Sequence, residues 1–313
     1  MADEAPAMRV RALCKRYGDF EAVKGIDLTV ERGQVYGLLG PNGCGKTTTL
    51  SCALGLQPTT SGTIEVLGET PDRLHRTMGR VACVFDVPAA LNGHTIEQNL
   101  AYQTRLRGHA GGRGMDEALE RVGLKDFHKR RAGGLSLGQE KRLSIAGAIM
   151  GSPELVVLDE PLSGLDPMGV RSMLSMLEEL AAGGQTLIVT SHRLYEMEEI
   201  LTHAAVMIDG HVVREAPLAD FLGRAGTWRV RVRDASAARS AVTSLGGTLA
   251  SEPDEDGLLL LEAPDAAGDD LVAALAAGGA GVLHFAEARM GLQASFESLV
   301  ETERRRMKAG GDS

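Results

Sequence analysis

Short apolar runs of strand length alternate along the chain with segments whose apolar residues recur at helical spacing. The strand-like runs in the first two-thirds of the chain are Val35 to Leu39, Leu155 to Leu158, Leu187 to Thr190 and Ala205 to Ile208. One helical segment lies between Arg171 and Ala182 and ends at a glycine pair. This alternation is typical of parallel strands joined by crossover helices, so we predict an α/β fold.

The final third of the chain has a different texture. Asp209-Gly210 separates two apolar runs and predicts a tight hairpin that closes a first domain, residues 1–222. Beyond it the predicted elements follow the order β, α, β, β, α, β, α, whose core resembles a ferredoxin-like unit, so we predict a small α+β accessory domain over residues 223–313. Its tail, Lys308 to Ser313, is expected to be disordered. The predicted strands are Thr227 to Val232, Gly247 to Ser251, Gly257 to Glu262 and Val282 to Glu287, and the predicted helices lie near Ala235 to Leu245, Asp269 to Ala277 and Leu292 to Glu303.

Composition argues against several classes of protein. No apolar run approaches the ~18 to 20 residues of a membrane-spanning helix, and the N-terminus lacks the apolar core of a secretion signal, so we expect a cytoplasmic protein. The net charge of -9 argues against a nucleic-acid binder, which usually carries a basic face. The cysteines form no CxxC pair and have no His partners at metal-site spacing, so we expect reduced thiols and no zinc.

A glycine-rich segment follows the predicted strand Val35 to Leu39 and fits the phosphate-loop pattern G-x-x-x-x-G-K-[ST]. Glycines let the backbone curl so that amide N–H groups face one point, where the N-terminus of the next helix adds partial positive charge. Lys46 would reach the outer phosphates of a nucleotide, and the Thr47 hydroxyl would ligate Mg²⁺. The residues predicted to contact the nucleotide here are Gly40, Pro41, Asn42, Gly43, Cys44, Gly45, Lys46, Thr47 and Thr48.

A second candidate site is the pair of carboxylates, Asp159 and Glu160, that ends the strand beginning at Leu155. The pleat of a strand would point these neighbours in opposite directions, so each can have its own task. Asp159 would hold Mg²⁺ through water, and Glu160 would polarise the water that attacks the terminal phosphate.

The segment from Leu135 to Gln139, LSLGQ, precedes that strand and resembles the LSGGQ signature of ABC ATPases. It also fits the G-x-S-x-G elbow of serine hydrolases, but an elbow needs a strand immediately before the serine, and residues 129–134 are polar and glycine-rich. With the phosphate loop and the acidic pair, the signature identifies the chain as a member of the ABC ATPases over roughly Met8 to Phe221.

This resemblance implies a P-loop NTPase fold: a RecA-like core with an antiparallel β subdomain and a helical subdomain at about residues 88–150. It also implies that the signature closes on ATP held by a second copy of the chain or by a homologous ATPase subunit, so that one chain alone cannot complete a site. The residues to which it gives a role are Tyr17 in stacking on adenine, Ser136, Gly138 and Gln139 in the signature, Asp166 in the D-loop, and His192 as the switch histidine that orients the water together with Glu160.

Two positions depart from the family pattern. Asp86 stands where a glutamine usually links Mg²⁺ and the attacking water to the membrane partner, as in some exporter ATPases of the bacitracin-resistance kind. We expect Asp86 to contact the nucleotide and bind the metal as a sensor. Leu137 replaces the first glycine of the signature and leaves less room there. Cys44 lies beside a helix N-terminus, which lowers a thiol pKa, so we also expect its alkylation to block ATP binding.

The function that the resemblance implies is ATP hydrolysis that powers an ABC exporter. Two ATP molecules would close a dimer, closure would pull on a separate membrane permease at the inner face of the membrane, and hydrolysis would reset it. The C-terminal extension resembles that of type-2 exporters and favours export of a drug, antibiotic or lipid-like cargo. The alternatives are a non-transport ABC ATPase acting on nucleic acid or ribosomes, which usually brings a coiled-coil insertion or zinc cysteines, and a GTPase or nucleotide kinase, which lacks the signature.

Overall fold

A computed structural model describes residues 5–86, 90–106, 114–222, 227–249, 258–263, 268–287, 292–293, 295–297 and 299–300. The chain divides into two compact units, Met1–Ala216 and Pro217–Ser313. In the described segments, no helix combines the length and the apolar content needed to cross a bilayer.

The strands are β1 Met8–Tyr17, β2 Phe20–Val30, β3 Val35–Leu39, β4 Ser61–Val66, β5 Val81–Val84, β6 Leu155–Asp159, β7 Thr186–Ser191, β8 His203–Ile208, β9 His211–Pro217, β10 Thr227–Val232, β11 Thr248–Leu249, β12 Leu258–Glu262 and β13 Val282–Glu287. The helices are α1 Lys46–Ala53, α2 Ile96–Leu106, α3 Met115–Arg121, α4 Leu137–Ile149, α5 Pro167–Ala182, α6 Leu194–Met197, α7 Ala235–Ser244 and α8 Gly268–Ala277. Short 3₁₀ helices cover Pro71–Thr77, Lys125–Phe127, Ala132–Gly134 and Leu218–Asp220.

A six-stranded sheet forms the centre of the first unit, in the order β5-β6-β7-β3-β8-β9. Strands β5, β6, β7, β3 and β8 pair in parallel, which confirms the predicted α/β core. Every residue of β3, β6 and β7 is buried, as expected for apolar strands of a parallel sheet covered on both faces. Because these three strands are neighbours, the loops that follow them meet at one edge of the sheet, where open α/β sheets bind ligands.

Two local predictions in this unit hold. Helix α5 covers the segment predicted to be helical and begins at Asp166, whose carboxylate accepts a hydrogen bond from the Gly169 amide. Strands β8 and β9 are joined by Asp209 and Gly210 with φ of 46° and 84°, and two positive φ angles define the primed turn of a tight hairpin.

A separate three-stranded antiparallel sheet, in the order β2-β1-β4, belongs to the same unit. A two-residue turn joins β1 to β2 and places Tyr17 directly opposite Phe20. Alternate residues of these strands face the core and solvent, so the exposed end of the hairpin can carry aromatic side chains towards a ligand.

The second unit contains an antiparallel sheet in the order β11-β12-β10-β13, with α7 and α8 in the connections. Its core includes Val230, Leu261 and Leu275, and the Trp228 ring stacks on Phe285 with centroids 4.8 Å apart. The four strands and two helices overlap the predicted ranges, with residues 250, 251 and 257 of the predicted strands outside the described residues, and the described residues of the predicted last helix are helical. The remainder of that helix and the tail from residue 308 lie outside the described residues.

An ionic cluster lies at the edge of the central sheet that is opposite the carboxyl ends of its strands. Glu154, which precedes β6, accepts hydrogen bonds from Arg80 and from Arg32, with an Arg32 Nη1 to Glu154 Oε2 distance of 2.5 Å. Hydrogen bonds from the two guanidinium groups lower the pKa of Glu154 from 4.5 to about 2. The carboxylate thus favours the folded state only while it is ionised.

We predict that Glu154→Gln lowers the free energy of unfolding at pH 7 by less than about 1 kcal/mol, because the cluster is partly exposed and screened by water. A pKa depressed on folding contributes stability above pH 4.5, and that contribution disappears as the pH falls from 4.5 to about 2. Urea unfolding at pH 7, 4 and 3 should show the difference between wild type and variant shrinking with acidification. Glu178→Gln, at an exposed position of α5, is the control, and a difference independent of pH contradicts the prediction.

Candidate functional site

The phosphate loop connects β3 to α1, and its shape depends on glycine. Gly43 and Gly45 have φ of 80° and 107°, which residues with side chains rarely adopt. A Cβ atom on Gly45 would lie 2.6 Å from the Ala22 carbonyl oxygen. No side chain caps the N-terminus of α1, so the amide groups of its first turn can face an anion.

The Lys46 side chain is buried beside this loop. Its Nζ donates hydrogen bonds to the carbonyl oxygens of Gly40 at 2.8 Å and Pro41 at 3.2 Å, and it lies 3.6 Å from Glu160 Oε1. A buried ammonium group requires such partners. Lys46 is the first residue of α1, so its positive charge lies near the uncapped N-terminus of that helix, which is an arrangement suited to phosphate.

Thr47 and Asp159, two of the residues predicted to bind Mg²⁺, contact each other. Thr47 Oγ1 donates to Asp159 Oδ2 at 2.9 Å, and Thr190 Oγ1 donates to the other carboxylate oxygen at 2.5 Å. Asp159 and Thr190 are paired residues in the β6–β7 register. Hydroxyl and carboxylate oxygens are ligands that Mg²⁺ accepts, so the pair fits the metal of a nucleotide complex. Among the described residues, no group of three or more His, Cys, Asp or Glu is placed to hold a metal ion.

Glu160 has a strained backbone, with φ of 50° in the left-handed region. Its N–H donates to Thr190 Oγ1 at 2.9 Å, and its Oε2 lies 2.8 Å from His192 Nδ1 in a hydrogen bond. Oε1 is buried and has no hydrogen-bond partner within the described part of the chain. The two carboxylates do have different partners, but the strand pleat is the wrong reason. β6 ends at Asp159, and the left-handed turn directs Glu160.

Asp86, the first departure from the family pattern, follows β5 and is half exposed. Its Oδ1 lies 3.1 Å from the Nζ of Lys141, a buried side chain of α4. The sequence did not single out Lys141, because a lysine near the start of a helix is normally solvated. The metal and nucleotide contacts expected of Asp86 stay predictions, and its ionic partner in this structure is Lys141.

A cleft of about 230 Å³ extends from the phosphate loop to the β1–β2 hairpin. Tyr17, 44% exposed, lines it, with its hydroxyl bonded to Gln57 and the Lys15 ammonium 4.8 Å from its ring centre. Phe20, 64% exposed, lines it too, and the sequence analysis missed this residue. Its signal was available: an aromatic residue directly across a two-residue turn from Tyr17. The residues that line the cleft are Tyr17, Phe20, Ala22, Asn42, Gly43, Gly45, Lys46, Thr47, Thr48 and Glu160.

The signature residues line a different pocket of about 430 Å³. Ser136 caps α4: its Oγ accepts from the Gln139 amide at 3.4 Å, and Gln139 Oε1 accepts from the Ser136 amide at 3.1 Å. A 3₁₀ helix and not a strand precedes Ser136, which removes the serine-hydrolase alternative. No residue lines both pockets. The residues of the second pocket are Ser136, Leu137, Gly138, Gln139, Arg142, Gly164, Leu165, Asp166 and Gly169.

The Leu137 side chain, the second departure, lies over Gly164 in the loop before α5. A Cβ atom on Gly164, whose φ is 71°, would lie 2.6 Å from Leu137 Cδ2. The extra side chain therefore fills space between the start of α4 and this loop, and the glycine backbone accommodates it.

The expectation that the Cys44 pKa is lowered is wrong. The side chain is buried, and desolvation raises the pKa of the Cys44 thiol by more than the nearby Lys46 charge lowers it. The loop positions Gly40, Pro41 and Cys44 also do not line the cleft. A helix N-terminus alone was an insufficient signal, because the sequence does not reveal how deeply the thiol is packed.

Fold and site together define a P-loop ATPase. A family model described as ABC transporter matches residues 23–163. The chain is 39% identical over 210 residues to the bacitracin transport ATP-binding protein BcrA of Enterococcus faecalis, covering 66% of this chain and 68% of that protein. It is 37% identical over 205 residues to the Nod factor export ATP-binding protein I of Burkholderia lata, covering 64% and 67%.

Solved structures agree. The crystal structure of MJ1267, an ATP-binding cassette of an ABC transporter in its ADP conformation, superposes with a TM-score of 0.61 at 27% identity, covering 67% of this chain and 91% of that one. The chain belongs to the ATP-binding proteins of ABC transporters, and it is an ATP-hydrolysing cassette.

We predict that Cys44 reacts slowly with alkylating agents, because burial limits both access and the thiolate fraction. With iodoacetamide at pH 8, Cys44 should be labelled at least ~10-fold more slowly than the exposed Cys83, as followed by peptide mass spectrometry. In guanidinium chloride the two rates should converge, which controls for peptide recovery. Equal labelling rates in the folded protein would show that the loop opens or that the thiol is activated.

Proposed function

We propose that this chain binds ATP with Mg²⁺ in the cleft above the phosphate loop, and that a second copy completes the site with its signature. The observation that carries this proposal is that those predicted ATP contacts which line a pocket fall into two pockets with no residue in common. One holds the phosphate loop and Glu160, and the other holds Ser136 and Asp166. Two copies related by a two-fold axis can bring each pocket against the other, so that the same surface serves both subunits.

In this proposal, the chain's own groups divide the work of hydrolysis. The loop amides and Lys46 bind the phosphates, and Thr47 and Asp159 hold the metal. Bound Mg²⁺ would neutralise phosphate charge as it builds up during the reaction. Glu160 Oε1 lies 3.6 Å from Lys46 Nζ and accepts no hydrogen bond from the described residues, so it would accept one from the attacking water. His192 fixes the other oxygen of that carboxylate.

Tyr17 and Phe20 serve as the nucleobase platform in this proposal. Both rings are exposed at the edge of the same cleft, and aromatic stacking on a base contributes on the order of 1 to 3 kcal/mol. The Lys15 ammonium lies close to the Tyr17 ring, and the Gln57 contact restrains its hydroxyl.

We further infer that the ATPase powers export through a separate integral-membrane permease at the cytoplasmic face of the membrane. Support comes from the similarity to the bacitracin transport and Nod factor export proteins. Residues 1–222 are the proposed ATPase domain, with a helical subdomain at about residues 88–150. Residues 223–313 are the proposed accessory domain. Its βαββαβ order and its sheet order support a ferredoxin-like assignment.

We predict that Glu160→Gln lowers the ATPase turnover at least ~100-fold while ATP still binds, because the group that polarises water is lost. With saturating ATP and Mg²⁺ this variant should run as a dimer in size-exclusion chromatography with light scattering. Adding Ser136→Arg should return it to a monomer without weakening ATP binding to the monomer.

Adding Ser175→Arg at an exposed position of α5 is the matched control and should leave the dimer intact. A Glu160→Gln variant that stays monomeric with ATP even beside its permease would refute the shared site. Dimerisation that is unaffected by Ser136→Arg would refute the role of the signature.

A separate prediction concerns the permease. The full-length chain, tagged and expressed in its own host, should sediment with membranes and elute with an integral-membrane protein after detergent extraction. The Glu160→Gln variant should behave in the same way, because attachment does not need turnover. A chain recovered only in the membrane-free supernatant would argue for the non-transport alternative.

A further inference from the structure

Lys141 has a position that its residue type rarely takes. Its side chain is only 5% exposed, in the second turn of α4, among residues that otherwise form the apolar face of that helix. Full burial of an ammonium group is costly unless charge and hydrogen-bond partners compensate. Two partners do so: Asp86 Oδ1 at 3.1 Å and the main-chain oxygen of Glu160 at 2.8 Å.

The second partner links Lys141 to the backbone of the proposed catalytic glutamate. The Glu160 carbonyl accepts from Lys141 Nζ and from the Ser163 amide at 3.1 Å, and the Glu160 N–H donates to Thr190 Oγ1. Both main-chain polar groups of Glu160 are therefore held, by groups from three different parts of the first unit. A left-handed glutamate needs this support, because such a conformation is unfavourable and persists only when its surroundings fix it.

We propose that Lys141 is a positioning residue for ATP hydrolysis, which ties the Asp86 segment and the signature helix to the backbone of Glu160. Lys141 belongs to the helix that Ser136 caps, so a shift of the signature on dimer closure moves its ammonium group. A shift of Asp86 acts on the same group through the ion pair. Either displacement changes the hydrogen bond from Lys141 to the Glu160 carbonyl and therefore the orientation of the Glu160 carboxylate.

Lys141 and Asp86 carry opposite charges, and variants can test this charge pairing separately from the stability of the fold. Removing only Lys141 leaves the half-exposed Asp86 carboxylate without its cation and the Glu160 carbonyl with one donor fewer. Replacing both residues by amides removes both charges but keeps a donor for the carbonyl and an acceptor for that donor. This inference rests on the proposed role of Glu160, so Glu160→Gln is included in the same set of variants.

The experiment measures ATPase kinetics and fluorescent ATP-analogue binding on full-length variants. Lys141→Met should lower kcat about 10- to 100-fold, because small errors in aim are costly to catalysis, while the KM for ATP changes less than about threefold. Lys141→Gln should be similarly impaired. Asp86→Asn alone should also lower kcat, and Asp86→Asn/Lys141→Gln should retain at least about fivefold more kcat than the two single losses multiplied together would leave, because charge matching is restored.

The control is Lys125→Gln, which breaks an exposed lysine–glutamate pair and should change neither kcat nor KM. Melting temperatures identify any variant that fails to fold, and if Lys141→Met does, the amide pair carries the test. A Lys141→Met kcat within twofold of wild type overturns the proposal, and so does a double variant whose losses simply multiply. If Glu160→Gln itself retains turnover, the proposed function fails as well. If Glu160→Gln is inactive but the Lys141 variants keep the wild-type kcat, this inference alone fails.

Discussion

The left-handed backbone of Glu160 is the constraint on which the site depends. Such a conformation in a residue with a long side chain costs on the order of 1 to 3 kcal/mol. The hydrogen bond that its N–H donates to Thr190 Oγ1 and the hydrogen bonds that its carbonyl accepts from Lys141 and Ser163 offset that cost. The result is a carboxylate held between a buried ammonium and an imidazole, with one oxygen still lacking a hydrogen bond from the described chain. The strained backbone thus sets the direction in which the Glu160 side chain points.

The central sheet explains how distant residues reach this point. Strands β3, β6 and β7 are adjacent, so the phosphate loop, the acidic pair and the segment before His192 emerge at one edge. The in-register pairing of Asp159 with Thr190 lets one hydroxyl serve both acidic residues. Helix α4 reaches the same edge from outside the sheet and delivers Lys141. The central sheet therefore aligns these segments, and a few of their polar side chains form the proposed catalytic site.

Local patterns in the sequence predicted β3, β6, β7 and β8, the phosphate loop and the acidic pair, because short-range periodicity and glycine spacing determine these features. Contacts between distant segments could not be predicted in the same way. Lys141 and Thr190 are unremarkable residues until the fold places them against Glu160. The raised pKa of Cys44 was missed for a related reason, since burial depends on packing that no local pattern encodes. Phe20 is the exception, because its partner Tyr17 lies just across a predictable turn.

The stacked pair in the second unit has a practical consequence. Trp228 is the single tryptophan of the chain, and its ring lies against Phe285 in the core of that unit. Tryptophan fluorescence therefore reports on the second unit of the molecule alone. Circular dichroism, in contrast, sums over both parts. Denaturation followed by the two signals side by side can reveal whether the accessory part melts independently of the cassette, with no label attached.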